Sequence, residues 1–105
     1  MTLIPDNQIN NAADRLRALA HPLRLAVLCH LSNGPMTVSD LVTTTGVSQS
    51  SLSQHLAKLR MMGILNCERQ GQHIHYRLAD PEYSRLIEII RQVFCDSSTE
   101  TEARL

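Results

Sequence analysis

The chain has 105 residues, of which 43% are hydrophobic and 19% are charged, with a formal net charge of zero. This length fits one domain over residues 1–105, and this balance is typical of a globular rather than a disordered protein. No apolar stretch reaches the roughly 20 residues that span a bilayer, and the amino terminus lacks the features of a signal peptide. We therefore expect a cytoplasmic domain with a core at about 7–96, a polar tail at 97–105 and no membrane partner.

The charges and the cysteines are unevenly placed along the chain. Residues 1–47 carry three basic and three acidic residues, residues 48–79 carry four basic and one acidic, and residues 80–105 carry three basic and six acidic. The middle third is therefore basic, which supports a nucleic-acid partner. Cys29, Cys67 and Cys95 are odd in number and widely separated, which argues against a secreted disulfide scaffold.

Hydrophobic periodicity predicts two helices in the amino-terminal third of the chain. Apolar residues recur at helical spacing from Ile9 to Ala20, which predicts a first helix near 7–20. Pro22 suits the first position of a second helix, and the Ser-Asn-Gly-Pro segment at 32–35 ends it.

Capping signals predict two further helices. The segment that begins at Thr37 resembles a capping box with Asp40, for a short helix through about Thr44. Gly46 makes a turn, and Ser48 can cap a fourth helix that buries Leu52, Leu56 and Leu59 and ends at Gly63.

The periodicity changes after Gly63. Ile64–Arg69 and His73–Leu78 alternate like two strands joined around Gly71, and Asp80-Pro81 starts a last helix through about Cys95. The predicted fold class is α+β, mostly α, with four helices, a two-stranded hairpin and a fifth helix.

Two short helices around a glycine turn, followed by a hairpin, are typical of a winged helix-turn-helix that binds DNA. The exposed face of the fourth helix offers short hydroxyls and amides that can approach bases and phosphates, and the hairpin tip offers polar side chains. His55 suits packing or a phosphate contact better than a base contact. The predicted DNA-binding residues are Ser48, Gln49, Ser50, Ser51, Ser53, Gln54, His55, Lys58 and Arg60 in the helix and Arg69, Gln70, Gln72 and His73 in the wing.

Four segments resemble the ArsR/SmtB family of bacterial winged-helix regulators: Leu19–Leu25, Val47–Leu56, Gly63–Leu65 and His75–Leu78. The resemblance extends over residues 12–96. It implies a homodimer that packs through the first and last helices. It also implies that each subunit places its fourth helix in a major groove of double-stranded DNA at a palindromic operator, usually as a repressor.

The same resemblance directs attention to the effector site. Many metal sensors of the family carry a Cys-x-Cys pair in the third helix, but residues 36–41 contain no cysteine. Others use Asp and His ligands along the last helix, but residues 81–94 contain no histidine. Cys29 and Cys95 instead resemble the cysteine pair of the redox- and persulfide-sensing branch that includes BigR and HlyU. This implies a dithiol that responds to reactive sulfur or oxidants.

Other interpretations of the sequence remain open. The inducer could be a thiophilic metal such as arsenite or zinc, or the chain could be a protein-interaction module that does not read DNA. Cys67 alternates with Leu65 and is predicted to be either a core residue or one without a functional role. His73 and His75 share a strand face but lack further ligands, so a wing contact is favoured over zinc. No catalytic set is evident, so we expect neither an enzyme nor a cofactor.

Overall fold

The computed structural model describes residues 3–95, which form five helices and one small sheet. The predicted polar tail at 97–105 lies outside the described residues. The elements, in chain order, are α1 (Asp6–Leu19), α2 (Pro22–Leu31), β1 (Met36–Thr37), α3 (Val38–Thr45), α4 (Gln49–Met61), β2 (Leu65–Gln70), β3 (His73–Leu78) and α5 (Glu82–Phe94).

Side-chain caps set the starts of α2 and α3. The His21 ring accepts a hydrogen bond from the amide of Leu23, and Pro22 follows as the first helical residue of α2. At α3, the Thr37 hydroxyl accepts from the amide of Asp40 at 3.0 Å, and the Asp40 carboxylate accepts from the amide of Thr37 at 3.2 Å. The predicted capping box is therefore confirmed, and it satisfies donors that a helix start would otherwise leave unpaired.

The turn between α3 and α4 requires a glycine. Gly46 ends α3 in the left-handed region, at φ 74°, which side chains disfavour. Ser48 then caps α4 by accepting a hydrogen bond from the amide of Ser51 at 3.2 Å. These local features place α3 and α4 against each other as the two helices of a helix-turn-helix.

The sheet has three strands rather than the two predicted. Its order is β1-β3-β2, and β3 pairs antiparallel with both neighbours. Met36 is opposite Tyr76 on one side of β3, and Cys67 is opposite Tyr76 on the other. The predicted hairpin is present as β2 and β3, and the sequence missed only β1, because this strand is two residues long and has no alternating pattern of its own.

The core joins the helices to the sheet. Val27 and Leu28 of α2, Leu41 of α3, and three leucines of α4 are fully buried. From α5, Ile87 is buried at 2% exposure, and Tyr83, Leu86 and Ile90 pack against the core. Within residues 3–95, no helix combines the length and apolar character needed to cross a bilayer.

Candidate nucleic-acid interface

Helix α4 has one buried face and one polar face. Leu52, Leu56 and Leu59 are completely buried against the rest of the domain. The predicted contact residues on the other face of the helix and at its cap are exposed, apart from two that are half-buried, Ser51 and His55. The exposed ones are Ser48, Gln49, Ser50, Ser53, Gln54, Lys58 and Arg60. The helix therefore presents hydroxyls, amides and two basic groups to its surroundings, as the sequence predicted.

The wing, which is the hairpin formed by β2 and β3, lies beside the amino-terminal end of α4. Arg69, Gln70, Gln72 and His73 are all exposed around the turn at Gly71. Gln72 and His73 share a groove of about 270 Å³ with Gln49 of α4 and with residues at the start of α3. The structure thus brings predicted contacts from the helix and from the wing to one edge of the molecule, although they are more than 20 residues apart in sequence.

His55 differs from the other predicted contacts because the protein itself uses its ring. The Arg24 Nε donates a hydrogen bond to the His55 Nδ1 at 3.1 Å, and the His21 ring lies 4.4 Å away, centroid to centroid. Burial, followed by the electrostatic effects of the neighbouring His21 and Arg24, lowers the pKa of His55 below its ordinary value of 6.5. A neutral ring with an unprotonated Nδ1 is the form that can accept from Arg24. This arrangement agrees with the packing role considered for His55.

Arg24 and Arg15 make contacts that the sequence did not predict. Each spans elements that are distant in the chain, and no local pattern of residues signals such a contact. Arg24 joins the start of α2 to His55 of α4, and Arg15 of α1 reaches the carbonyl of Met62 just after α4. Both arginines contact α4, the predicted recognition helix that would enter the DNA groove, rather than extending towards solvent.

Two of the three thiols line one groove. Cys29 of α2 is half-buried, and Cys95 follows the last residue of α5 and is exposed. Both border an apolar groove of about 310 Å³ between α2 and α5. The other lining residues are Pro22, Leu25, Ala26, Ile87, Ile90 and Arg91. Cys29 and Cys95, which are 66 positions apart in sequence, therefore border the same groove.

The remaining cysteine and the strand histidines form no further site. Cys67 is half-buried in β2, on the sheet face that also carries Leu65. His73 is exposed, whereas the Nδ1 of His75 is buried and has no hydrogen-bond partner within the described part of the chain, residues 3–95. Among residues 3–95, no group of three or more His, Cys, Asp or Glu side chains is arranged to hold a metal ion.

Comparison with known proteins decides the family. Residues 21–66, which include the helix-turn-helix, match the bacterial regulatory protein family arsR. The biofilm growth-associated repressor (BigR) of Agrobacterium fabrum is 38% identical over 90 residues, which cover 86% of this chain and 77% of that protein. The chain belongs to the ArsR family.

Solved ArsR-type structures support the same conclusion. HlyU from Vibrio cholerae superposes with a TM-score of 0.81 at 34% identity, covering 88% of this chain and all of that chain. The homodimeric winged helix-turn-helix domain Mb0332 from Mycobacterium bovis superposes with a TM-score of 0.78 at 28% identity, covering 98% and 97%.

These findings confirm three predictions made from the sequence. The fold is a winged helix, mostly helical with a small antiparallel sheet. The resemblance to the BigR and HlyU branch of the ArsR family is confirmed. This ArsR-family chain is a transcriptional regulator with a DNA-binding domain, and it is not an enzyme.

Proposed function

We propose that this ArsR-family regulator binds a palindromic operator as a homodimer and that a dithiol formed by Cys29 and Cys95 controls its affinity. Reactive sulfur or an oxidant is the proposed inducer. The observation that carries the proposal is the shared groove between α2 and α5, which has both thiols in its wall. The proposed operator contacts are the exposed residues of α4 and of the wing.

The surface of the outer helices supports the homodimer. In α1, Ile9 and Leu16 are 47% and 57% exposed, and in α5, Val93 and Phe94 are 65% and 78% exposed. Large apolar side chains exposed together on two helices are typical of an interaction surface. The Mb0332 domain, which superposes on almost the whole chain, is described as homodimeric. We therefore place the dimer contact on α1 and α5.

The accessibility of the two thiols suggests an order of reaction. Cys95 is exposed and can meet a dissolved oxidant first, whereas the half-buried Cys29 is positioned to resolve the product. With hydrogen peroxide, the Cys95 thiolate attacks one oxygen and becomes a sulfenic acid, with release of water. Cys29 then displaces a second water and forms the disulfide.

A persulfide leads to the same bridge by sulfur transfer. An organic hydropersulfide transfers its outer sulfur to Cys95 and leaves as the parent thiol. Attack by Cys29 on the Cys95 sulfur then releases hydrogen sulfide and leaves a disulfide. A direct disulfide requires Cα atoms within about 7 Å of each other, so the bridge would hold the carboxyl end of α5 close to α2.

The bridge can affect DNA because α2 is central to the domain. Its buried residues Val27, Leu28 and Leu31 belong to the same core as the leucines of α4. A change in the position of α5 relative to α2 would therefore change the spacing of two recognition helices in a dimer. Operator half-sites are about 34 Å apart, one turn of DNA, so a small change in spacing weakens binding.

The experiment selects bound duplexes with the reduced protein and repeats the binding after treatment with persulfide or peroxide. We expect loss of affinity together with a linked peptide of Cys29 and Cys95 in mass spectra. The single variants Cys29→Ser and Cys95→Ser should bind the selected duplex under both conditions, and Cys67→Ser serves as the matched control that still responds. Loss of operator binding with both thiols unmodified would refute the proposed trigger.

The same assay separates the proposal from its alternatives. Stoichiometric uptake of arsenite or zinc that both serine variants abolish would favour a metal inducer. Absence of duplex binding by the reduced wild-type protein at low salt would favour a protein-interaction module.

A further inference from the structure

Arg15 connects three helices through one guanidinium group. Its Nη1 donates a hydrogen bond to the main-chain oxygen of Met62 at 2.7 Å, and the same nitrogen lies 3.4 Å from the hydroxyl oxygen of Tyr83. Met62 is the first residue after α4, Tyr83 belongs to α5, and Arg15 itself belongs to α1. The contact therefore joins the two proposed dimer helices to the carboxyl end of the recognition helix.

The chemistry of a helix end makes this contact strong. The last carbonyl groups of a helix have no partner within it, and the helix dipole places partial negative charge there. A cation at that end is therefore stabilising, and a hydrogen bond from a charged donor is stronger than a neutral one. Arg15 is half-buried, so solvent screens the interaction less than it screens the exposed pair of Arg17 and Asp14 on the same helix.

Arg24 makes a second connection between α1 and α4. Its Nη1 donates to the carbonyl oxygen of Ala18 near the end of α1, at 3.2 Å, and its Nε donates to His55 near the middle of α4. The recognition helix is thus fastened to α1 at two points along its length. Neither arginine is among the exposed residues proposed to contact DNA.

We infer that Arg15, assisted by Arg24, is a positioning residue that sets the orientation of α4 relative to the dimer helices α1 and α5. This inference rests on the proposed function, in which both recognition helices of a dimer must enter their half-sites together. When only one α4 contacts DNA, the whole protein can rotate until that helix fits its half-site, whatever angle α4 makes with the dimer helices. Two linked helices can dock together only if each is held at the correct angle to the dimer axis. Arg15 should therefore matter for the palindrome and not for one half-site.

The test compares Arg15→Met with Arg17→Met, a matched change on the exposed side of α1. The probes are the palindromic duplex selected by the wild-type protein and a duplex in which one half-site is replaced by unrelated sequence. We expect Arg15→Met to weaken palindrome binding at least tenfold, with half-site affinity and self-association within threefold of wild type. Arg15→Lys, which keeps a cationic donor, should recover part of the loss, and Arg17→Met should change nothing.

Two outcomes would overturn the inference. Equal losses on the palindrome and the half-site would show that Arg15 only supports folding, and unchanged palindrome binding would show that it has no role. Failure of the wild-type protein to bind any duplex would instead contradict the proposed function.

A measurement without DNA tests the inference in that case too. Spin labels at Gln54→Cys, in a variant whose native cysteines are replaced by serine, report the distance between the two α4 helices of a dimer. We expect a broader distance distribution with Arg15→Met than with Arg17→Met. Identical distributions would refute the positioning role.

Discussion

Ser48 offers a way to separate the stability of the recognition helix from its contact with DNA. The side chain is exposed, its backbone is extended at φ −61° and ψ 152°, and its hydroxyl accepts from the Ser51 amide at 3.2 Å. Asp and Asn cap helices about as well as Ser, so Ser48→Asp and Ser48→Asn both keep the cap. Only the aspartate adds a negative charge, at the amino-terminal end of α4, where Ser48 is one of the proposed operator contacts.

The expected magnitudes follow from the cap, which is kept or lost, and from the added charge, for a phosphate taken to lie about 5 Å away. Both variants should stay within about 0.5 kcal/mol of the wild-type stability, whereas Ser48→Ala should lose about 1 kcal/mol, because it leaves an amide without its partner. A carboxylate about 5 Å from a phosphate is repelled by about 0.8 kcal/mol at the dielectric constant of water. A dimer carries two such charges, so Ser48→Asp should bind the operator about 15-fold more weakly than Ser48→Asn. A lower dielectric at the interface would enlarge the difference.

Thermal unfolding and fluorescence anisotropy with the selected duplex measure the two effects separately. The alanine variant should unfold about 4–8 °C lower than wild type, as a loss of 1 kcal/mol implies for a domain of this size. The aspartate and asparagine variants should unfold together and differ only in DNA affinity. Equal affinities for these two variants would refute the reasoning, because the start of α4 would then lie far from the phosphates.

Three further predictions test other parts of the site. In a salt titration, Lys58→Ala should reduce the slope of log affinity against log salt concentration by about one unit for each phosphate that Lys58 neutralises. The control Arg85→Ala, on α5, should leave this slope unchanged. Because the pKa of His55 is lowered in the folded state, the unfolded chain binds more protons than the folded protein below pH 6.5. The free energy of unfolding should therefore decrease as the pH drops from 6.5 through the lowered pKa. Urea unfolding of His55→Gln, whose amide oxygen can still accept from Arg24, should lack this loss; a persistent loss would assign it to another group. Leu56→Ala should lower the free energy of unfolding by about 3–5 kcal/mol, measured in urea, because Leu56 is fully buried; a decrease under about 1 kcal/mol would contradict the packing described.

Local signals were sufficient to predict most of the fold. Thr37, Ser48 and Pro22 mark helix starts through interactions within a few residues, so the sequence places α2, α3 and α4 to within about one residue. Strand β1 escaped prediction because Met36 and Thr37 form too short a segment to show alternation. Their pairing with β3, about 40 residues further on, depends on the assembled domain.

In the candidate site, too, features set by local sequence were predicted and contacts between distant residues were not. The polar face of α4 follows from the helical spacing of its leucines, and the structure agrees. The proximity of Cys29 and Cys95 came only from the family resemblance, since a helical period says which face a residue occupies but not which neighbour it meets. The contact of Arg15 with Met62 links residues 47 positions apart and left no trace in the local sequence.

The short strand β1 has a mechanical consequence. It leads directly into α3 and pairs with His75 and Tyr76 in the middle of β3, so the hairpin is attached to the helix-turn-helix along one strand. A hairpin attached only at its own ends could swing independently of the recognition helix. Here the wing and α4 should move together as one rigid unit. An inducer that acts on α2 and α5 would therefore tilt α4 and the wing together. A small displacement of the sulfur atoms would then produce a larger displacement at the distant wing tip.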